Sequence, residues 1–466
     1  MRTSIIVIIS ILLLNSCTSQ VEPKENIVEV KTSMISLNSD NSEPTDIKYN
    51  EILEGVVCKY DNKTKYSLYI PTSDTLKGCI VFLDPQGEAA LPLRFYSPIA
   101  DELGFALIGC EFFSNHSTYD ESQAGFNAIL NETRTELNLS KDQIILGGFS
   151  GGGKVAAWLA FDYAITQIFS VGSGLPTNGK ELVQDRNYYI FCGHEDFNFK
   201  DVKQLKNDLT SKDHFVGLFE GKHEWPSVQD FKNIAYWGYF NLMKANTIAK
   251  DLALIDKVYN EMNVNLAQIE NMKAYVKLSN YNYGISLFDE LAPIDIFKTL
   301  KTDFKESRSY AVYTKQSIVA NYTEGVWQNK FTQGITDQQD VVWWYEQLRL
   351  LENEISSAPN LNTKEALIRV RKFVSLLCFI QTELAINKND QFKTNQFLSV
   401  FEKVDSENAD VLYFKAILEM QNGNSTQAMT YLNEMMLKGF TNEKKIRESK
   451  WFTGLISDLQ FRELFN

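Results

Sequence analysis

Residues 148–154, Gly-Phe-Ser-Gly-Gly-Gly-Lys, fit two kinds of chemistry at once. Gly148 to Lys154 spells G-x-x-x-x-G-K, a loop whose backbone N–H groups cradle nucleotide phosphates. Gly148 to Gly152 spells G-x-S-x-G, a tight turn that lifts a nucleophilic serine out of a sheet. The phosphate loop also needs Ser or Thr after the lysine, to bind magnesium through its hydroxyl, and Val155 has none. An acidic magnesium partner at the end of a later strand is lacking as well. Ser150 as nucleophile accounts for each position. Small residues two places either side let strand and helix backbones approach, and the helix that follows offers N–H groups and a positive dipole end to developing negative charge.

A serine needs a base, and the base an acid to orient it. The chain order Ser, then Asp or Glu, then His leaves His223 as base, in Glu220-Gly221-Lys222-His223-Glu224-Trp225-Pro226 just after an apolar run. The acid belongs in the loop after the preceding strand, Gly193-His194-Glu195-Asp196. Asp196 is the first choice, Glu195 the fallback and Asp201 a third. The oxyanion calls for two donors. One is the N–H of Gly151, and the other comes from the loop after an early strand, among Gln86, Gly87 and Glu88. Phe149, Phe197, Phe199 and Trp225 lie near these positions in sequence as candidates for an apolar acyl pocket, with core packing the ordinary fate of at least two of them. Neither a cofactor nor a metal is expected. The four histidines show no metal-ligand spacing.

The elements that must hold these residues alternate. A hairpin around Asp61-Asn62-Lys63 precedes an apolar strand over Cys79–Asp84, a helix over Ser97–Leu103 closed by Gly104, a strand over 105–112 and a helix over 122–137. A strand over 144–146, a helix over 152–163 and strands over 167–172, 188–193 and 214–220 follow. Such alternation predicts a mostly parallel sheet covered on both faces, in an α/β domain spanning roughly residues 48–245. The site then falls at the carboxyl ends of the strands. From residue 246 to 466 long amphipathic stretches dominate, including 340–356 and 363–385, and predict an all-α domain.

The ends and the composition bound the setting. Arg2, an apolar run over 5–14 and Leu14-Asn15-Ser16-Cys17 read as a leader too short to span a bilayer. This stretch resembles a bacterial lipoprotein signal, which implies lipidation of Cys17, a cell-envelope location and membrane contact through that anchor only. Thr18, where an aspartate would hint at inner-membrane retention, favours the outer membrane. Residues 18–47 are polar and without aromatics, as in a flexible tether. A net charge of −13 over 466 residues argues against nucleic acid as a partner. Of the six cysteines, Cys79, Cys110 and Cys192 lie in or beside strand-like runs and read as small buried hydrophobes.

Taken together, "YSLYIP", "VFLDPQG", "ILGGFSGGG", "FCGHEDFN" and "FEGKHEWP" resemble an α/β-hydrolase. More narrowly the chain is similar to the compact esterases grouped with dienelactone hydrolases and polyhydroxyalkanoate depolymerases. The resemblance implies serine-dependent hydrolysis of an ester, small or polymer-borne, through an acyl-enzyme and without a cofactor. Relatives place a histidine before the glycine of the loop after the early strand, where this chain has Gln86. Residues 409–439, with Leu412, Ala416, Ala428 and Leu432, resemble a tetratricopeptide unit, which implies a protein or peptide partner or a lid. The alternatives to an esterase are a serine peptidase of the same fold and a non-catalytic scaffold that binds through its helices.

Overall fold

The computed structural model describes residues 49–464 apart from 74, 210, 212, 439 and 441. The expected leader, Cys17 and residues 18–47 lie outside the described residues. Eight strands form one sheet in the order β1-β2-β4-β3-β5-β6-β7-β8. They are β1 (Ile52–Val57), β2 (Lys65–Tyr69), β3 (Gly78–Leu83), β4 (Phe105–Cys110), β5 (Ile144–Phe149), β6 (Gln167–Val171), β7 (Asn187–Gly193) and β8 (His214–Phe219). The β1–β2 and β2–β4 pairs are antiparallel and every other pair is parallel. The β1–β2 connection turns where expected, with the Lys63 and Thr64 N–H groups donating to Asp61. β3 and β4 are buried at every residue, as strands covered on both faces must be.

Helices cover both faces. α1 (Ala90–Leu103) and α6 (Val228–Lys244) pack on one, while α2 (Tyr119–Glu136), α3 (Gly151–Asp162), α4 (Gly179–Val183) and α5 (Phe199–Asp208) pack on the other. α1 starts seven residues before the expected Ser97. Pro92 sits in its first turn, where a missing N–H costs nothing, and Pro98 lies inside it. Burial of Leu93, Tyr96, Ile99, Ala100 and Leu103 offsets the lost bond. Gly104, at φ +69°, closes the helix through its N–H to the Ala100 carbonyl.

The helical part contains α7 (Leu252–Ile269), α8 (Ala274–Phe288), α9 (Asp295–Glu306), α10 (Arg308–Thr336), α11 (Val341–Ser356), α12 (Leu361–Asn387), α13 (Gln391–Val404), α14 (Ala409–Gln421), α15 (Ser425–Leu437), α16 (Glu443–Arg447) and α17 (Leu459–Glu463). The change in sequence character at 246 is not the edge of the first core. Leu254, Ile255 and Val258 of α7, Leu287 and Phe288 of α8 and Phe297 of α9 share the core of the sheet's α1/α6 face. A separate core runs from Trp327 on α10 to Phe461 on α17. Within it α14 and α15 form a pair joined at Asn422-Gly423-Asn424, and Leu412, Ala416, Ala428 and Leu432 are buried between the elements. Among the described residues, no helix is long and apolar enough to cross a membrane, and Cys58, Cys79, Cys110, Cys192 and Cys378 are buried free thiols.

Candidate active site

β5 runs into Ser150 and α3 begins at Gly151. Ser150 adopts φ 51° and ψ −118°, a region that costs a non-glycine residue about 1–3 kcal/mol. The turn holds because the Ser150 N–H donates to the Val171 carbonyl at 2.8 Å and the Ser150 carbonyl accepts from Gly153 at 3.2 Å. The flanking glycines answer to the end of β3 as well as to each other. A Cβ on Gly148 would stand 2.5 Å from the Leu83 carbonyl oxygen, and one on Gly152 would stand 2.1 Å from the same atom. Lys154 lies inside α3, where burial lowers its pKa, and the nearby acidic charge that opposes this is Asp201.

His223 bridges the other two expected residues. Its Nε2 lies 3.1 Å from Ser150 Oγ, and its Nδ1 lies 2.8 Å from Asp196 Oδ2. Asp196 is fully buried at 0 % exposure, and its second oxygen accepts from the Asn198 N–H at 2.8 Å. The His223 side chain keeps 21 % of its surface open. Gly172, at φ +65°, makes room for this line. A Cβ there would meet Phe149, Asp196 Oδ2 and His223 Nδ1 at 2.9, 3.0 and 3.2 Å. The two other candidate acids are engaged elsewhere. Glu195 pairs with Lys372 at 2.7 Å, and Asp201, its pKa raised by burial, has Lys200 and Lys154 as its charged neighbours.

The second oxyanion donor departs from expectation. The N–H groups of Gln86 and Glu88 both donate to Asp84 Oδ1, at 2.8 and 3.2 Å, and that of Gly87 donates to the Asp84 carbonyl at 3.1 Å. The reason is the burial of Asp84, which raises its pKa. The carboxylate is kept in the fold by the Gln86 and Glu88 N–H groups together with the Trp225 indole N–H at 2.8 Å. Gly151 opens α3, so its N–H is among those without an intrahelical acceptor. Asn115 was not foreseen. Its N–H donates to the Pro85 carbonyl at 2.9 Å, and its Oδ1 would lie 2.1 Å from a Cβ on Gly151. The carboxamide thus packs against the residue that follows Ser150. A lone Asn in a loop carries no motif that would have announced it.

The aromatic candidates divide. Phe149 and Phe197 are half-buried and flank the His223 ring, with centroids 4.6 and 4.3 Å away. Trp225 and Phe199 are core residues, so for these two the pocket role is corrected to packing. Of the other histidines, His116 is exposed and stands 4.0 Å from Glu383, His214 Nε2 meets the Val183 carbonyl at 2.8 Å, and His194 is buried, which lowers its pKa.

Helical elements reach these loops from the far part of the chain. The Asn442 side-chain amide donates to the Gln86 carbonyl at 3.0 Å. Lys273, at the start of α8, pairs with Glu220 at 3.3 Å, on the loop of His223, and with Glu365 of α12 at 3.1 Å.

No family model and no curated protein matches the chain. Among solved structures it is similar to an alpha-beta serine hydrolase homologue from Coxiella burnetii, with 18% identity and a TM-score of 0.30, over 38% of this chain and 91% of that one. It is also similar to Est1E from Butyrivibrio proteoclasticus, with 13% identity and a TM-score of 0.31, over 37% of this chain and 90% of that one. A third is the capsule O-acetyltransferase of Neisseria meningitidis serogroup A, with 13% identity and a TM-score of 0.24, over 39% of this chain and 90% of that one.

Proposed function

We propose that this chain is a serine hydrolase that cleaves carboxylic esters through an acyl-enzyme on Ser150. The observation that supports it is the unbroken line from Ser150 Oγ to His223 Nε2 at 3.1 Å and from His223 Nδ1 to Asp196 Oδ2 at 2.8 Å. In this reading Ser150 Oγ attacks the ester carbonyl carbon while His223 Nε2 takes its proton. The carbonyl oxygen gains negative charge beside the Gly151 N–H and the N-terminus of α3. The intermediate collapses, the C–O bond to the alcohol breaks, and the proton on Nε2 passes to the leaving oxygen. Water then repeats the sequence on the acyl-enzyme and releases the acid. Asp196 holds the imidazole in one tautomer and stabilises the imidazolium. Phe149 and Phe197, both in ring contact with His223, are the side chains we assign to the acyl group.

We further propose that the mature protein sits at the bacterial cell envelope, lipid-anchored at Cys17, with the helical domain as a lid or a seat for a peptide or protein. Hydrolysis of p-nitrophenyl acetate by the chain from residue 18 onward tests the catalytic part. Ser150→Ala is expected to reduce kcat by at least about 10⁴-fold. Equal rates in the two proteins would sink the proposal.

A further inference from the structure

The loop that carries Asp196 is gripped from both sides. Within the sheet domain, the His194 N–H donates to the Phe219 carbonyl at 2.9 Å and the Glu195 N–H to the Gly221 carbonyl at 3.0 Å, tying the loop after β7 to the loop of His223. From the helical side, Arg369 on α12 donates through Nη1 to the His194 carbonyl at 3.0 Å. That carbonyl lies two residues before the acid. Arg369 does not hang free. Its Nε lies 3.1 Å from both carboxylate oxygens of Glu324 on α10, and its Nη2 lies 2.6 Å from one of them. The two side chains are 4 % and 0 % exposed. The guanidinium also lies 4.4 Å from the ring centre of Phe199, whose own N–H donates to the Asp196 carbonyl at 2.9 Å. One turn further along α12, Lys372 pairs with Glu195 of the same loop.

A buried ion pair of this kind is a weak source of stability, because desolvation opposes the attraction and apolar replacements are often as stable. What it supplies is direction. The planar fork of an arginine, fixed by a carboxylate on one edge, aims its remaining N–H groups along one line. Here that line ends on the backbone of the acid's loop.

We infer that Arg369, oriented by Glu324, is a positioning residue for Asp196, so that the helical domain is part of the catalytic framework. The inference rests on reading Ser150, His223 and Asp196 as a catalytic triad. Loss of the grip lets the acid drift, and a displacement near 1 Å is enough to cost about 10²-fold in rate.

The test uses the chain from residue 18 onward, with Arg369→Lys and the double variant Glu324→Leu/Arg369→Met, which leaves no orphaned charge. The readouts are kcat and KM for p-nitrophenyl acetate, the labelling rate of Ser150 by a fluorophosphonate, the thermal midpoint, and the far-downfield proton resonance of the His223 Nδ1–H held by Asp196. The double variant is expected to stay folded, lose about 10–100-fold in kcat with KM nearly unchanged, and broaden or shift that resonance. Arg369→Lys keeps the charge without the fork, and is expected to be impaired in the same readouts. A folded double variant with parental kcat and resonance overturns the inference. If the double variant does not fold, Arg369→Lys decides by the same measurements. Should the parent itself show no hydrolysis and no labelling, the catalytic reading fails, and the resonance still reports whether Arg369 positions Asp196.

Discussion

The indole N–H of Trp225 donates to the carboxylate of Asp84 across 2.8 Å, tying the loop of His223 to the loop that follows β3. Asp84 in turn accepts from the N–H groups of Gln86 and Glu88, so one buried carboxylate holds both loops. Trp225→Phe keeps most of the ring packing against Phe82 and Tyr96 but removes the donor. It is expected to cost about 1–2 kcal/mol of stability, since a buried acceptor loses a partner. Hydrolysis should slow as the His223 loop loosens. Denaturant midpoints and kcat measured on the same preparations check this, and unchanged values in both would remove the link from the account.

Gly172→Ala is expected to abolish most activity with only moderate loss of stability. The added methyl is strained at φ +65° and meets Asp196 Oδ2 at 3.0 Å and His223 Nδ1 at 3.2 Å. The backbone term is about 1–2 kcal/mol. The rate loss should reach about 10²-fold or more, because the clash falls between Asp196 and His223, on the proposed line of proton transfer. A folded variant with near-parental kcat would show that Gly172 does not constrain the triad.

Asn115→Ala probes the developing charge. Rotation about the last side-chain torsion turns the carboxamide nitrogen toward the place its oxygen now occupies beside Gly151. If it serves as an oxyanion donor, its loss lowers kcat by about 10²–10³-fold with little effect on KM. A KM effect alone would mark Asn115 as a substrate contact.

Glu102 makes the stability of the sheet's α1/α6 face depend on pH. Burial by itself raises its pKa, but donors from Lys257 at 2.5 Å, Tyr236 at 2.8 Å and Lys232 at 3.0 Å outweigh this and bring it to about 2, against an ordinary 4.5. A carboxylate depressed on folding stabilises the protein above its unfolded pKa, and that contribution is lost as pH falls through the folded one. Glu102→Gln should therefore be less stable than the parent at pH 7, by about 1–2 kcal/mol after allowance for solvent screening. The gap should close between about pH 4.5 and 2. Thermal midpoints across that range test it. A gap that is constant with pH would refute the electrostatic origin.

The grouping of Ser150, His223 and Asp196 was legible because the three lie past strand ends in the order the proposed mechanism needs. Ser150, Asp196 and His223 each follow an apolar run, and a parallel sheet brings such ends together. The acyl pocket was half legible, since a Phe beside a site and a Phe in a core look alike until burial separates Phe149 from Phe199. The loop after β3 was legible only as three alternatives, Gln86, Gly87 and Glu88, for a single donor, and the buried Asp84 carboxylate takes the N–H groups of Gln86 and Glu88. Nothing local marks Asp84 as buried, because Asp is common at strand ends. Arg369 and Glu324 were beyond reach for the same reason. They are 45 residues apart, and Arg369 touches a carbonyl 175 residues away, which no helical periodicity encodes.

The measurement that bears most directly on the account is a covalent one. A fluorophosphonate is applied to the chain from residue 18 onward and to Ser150→Ala, and the adduct is mapped by mass spectrometry. The account predicts one adduct on the parent, at Ser150, and none on the variant. An adduct at another residue, or a folded parent that stays unlabelled, would contradict it.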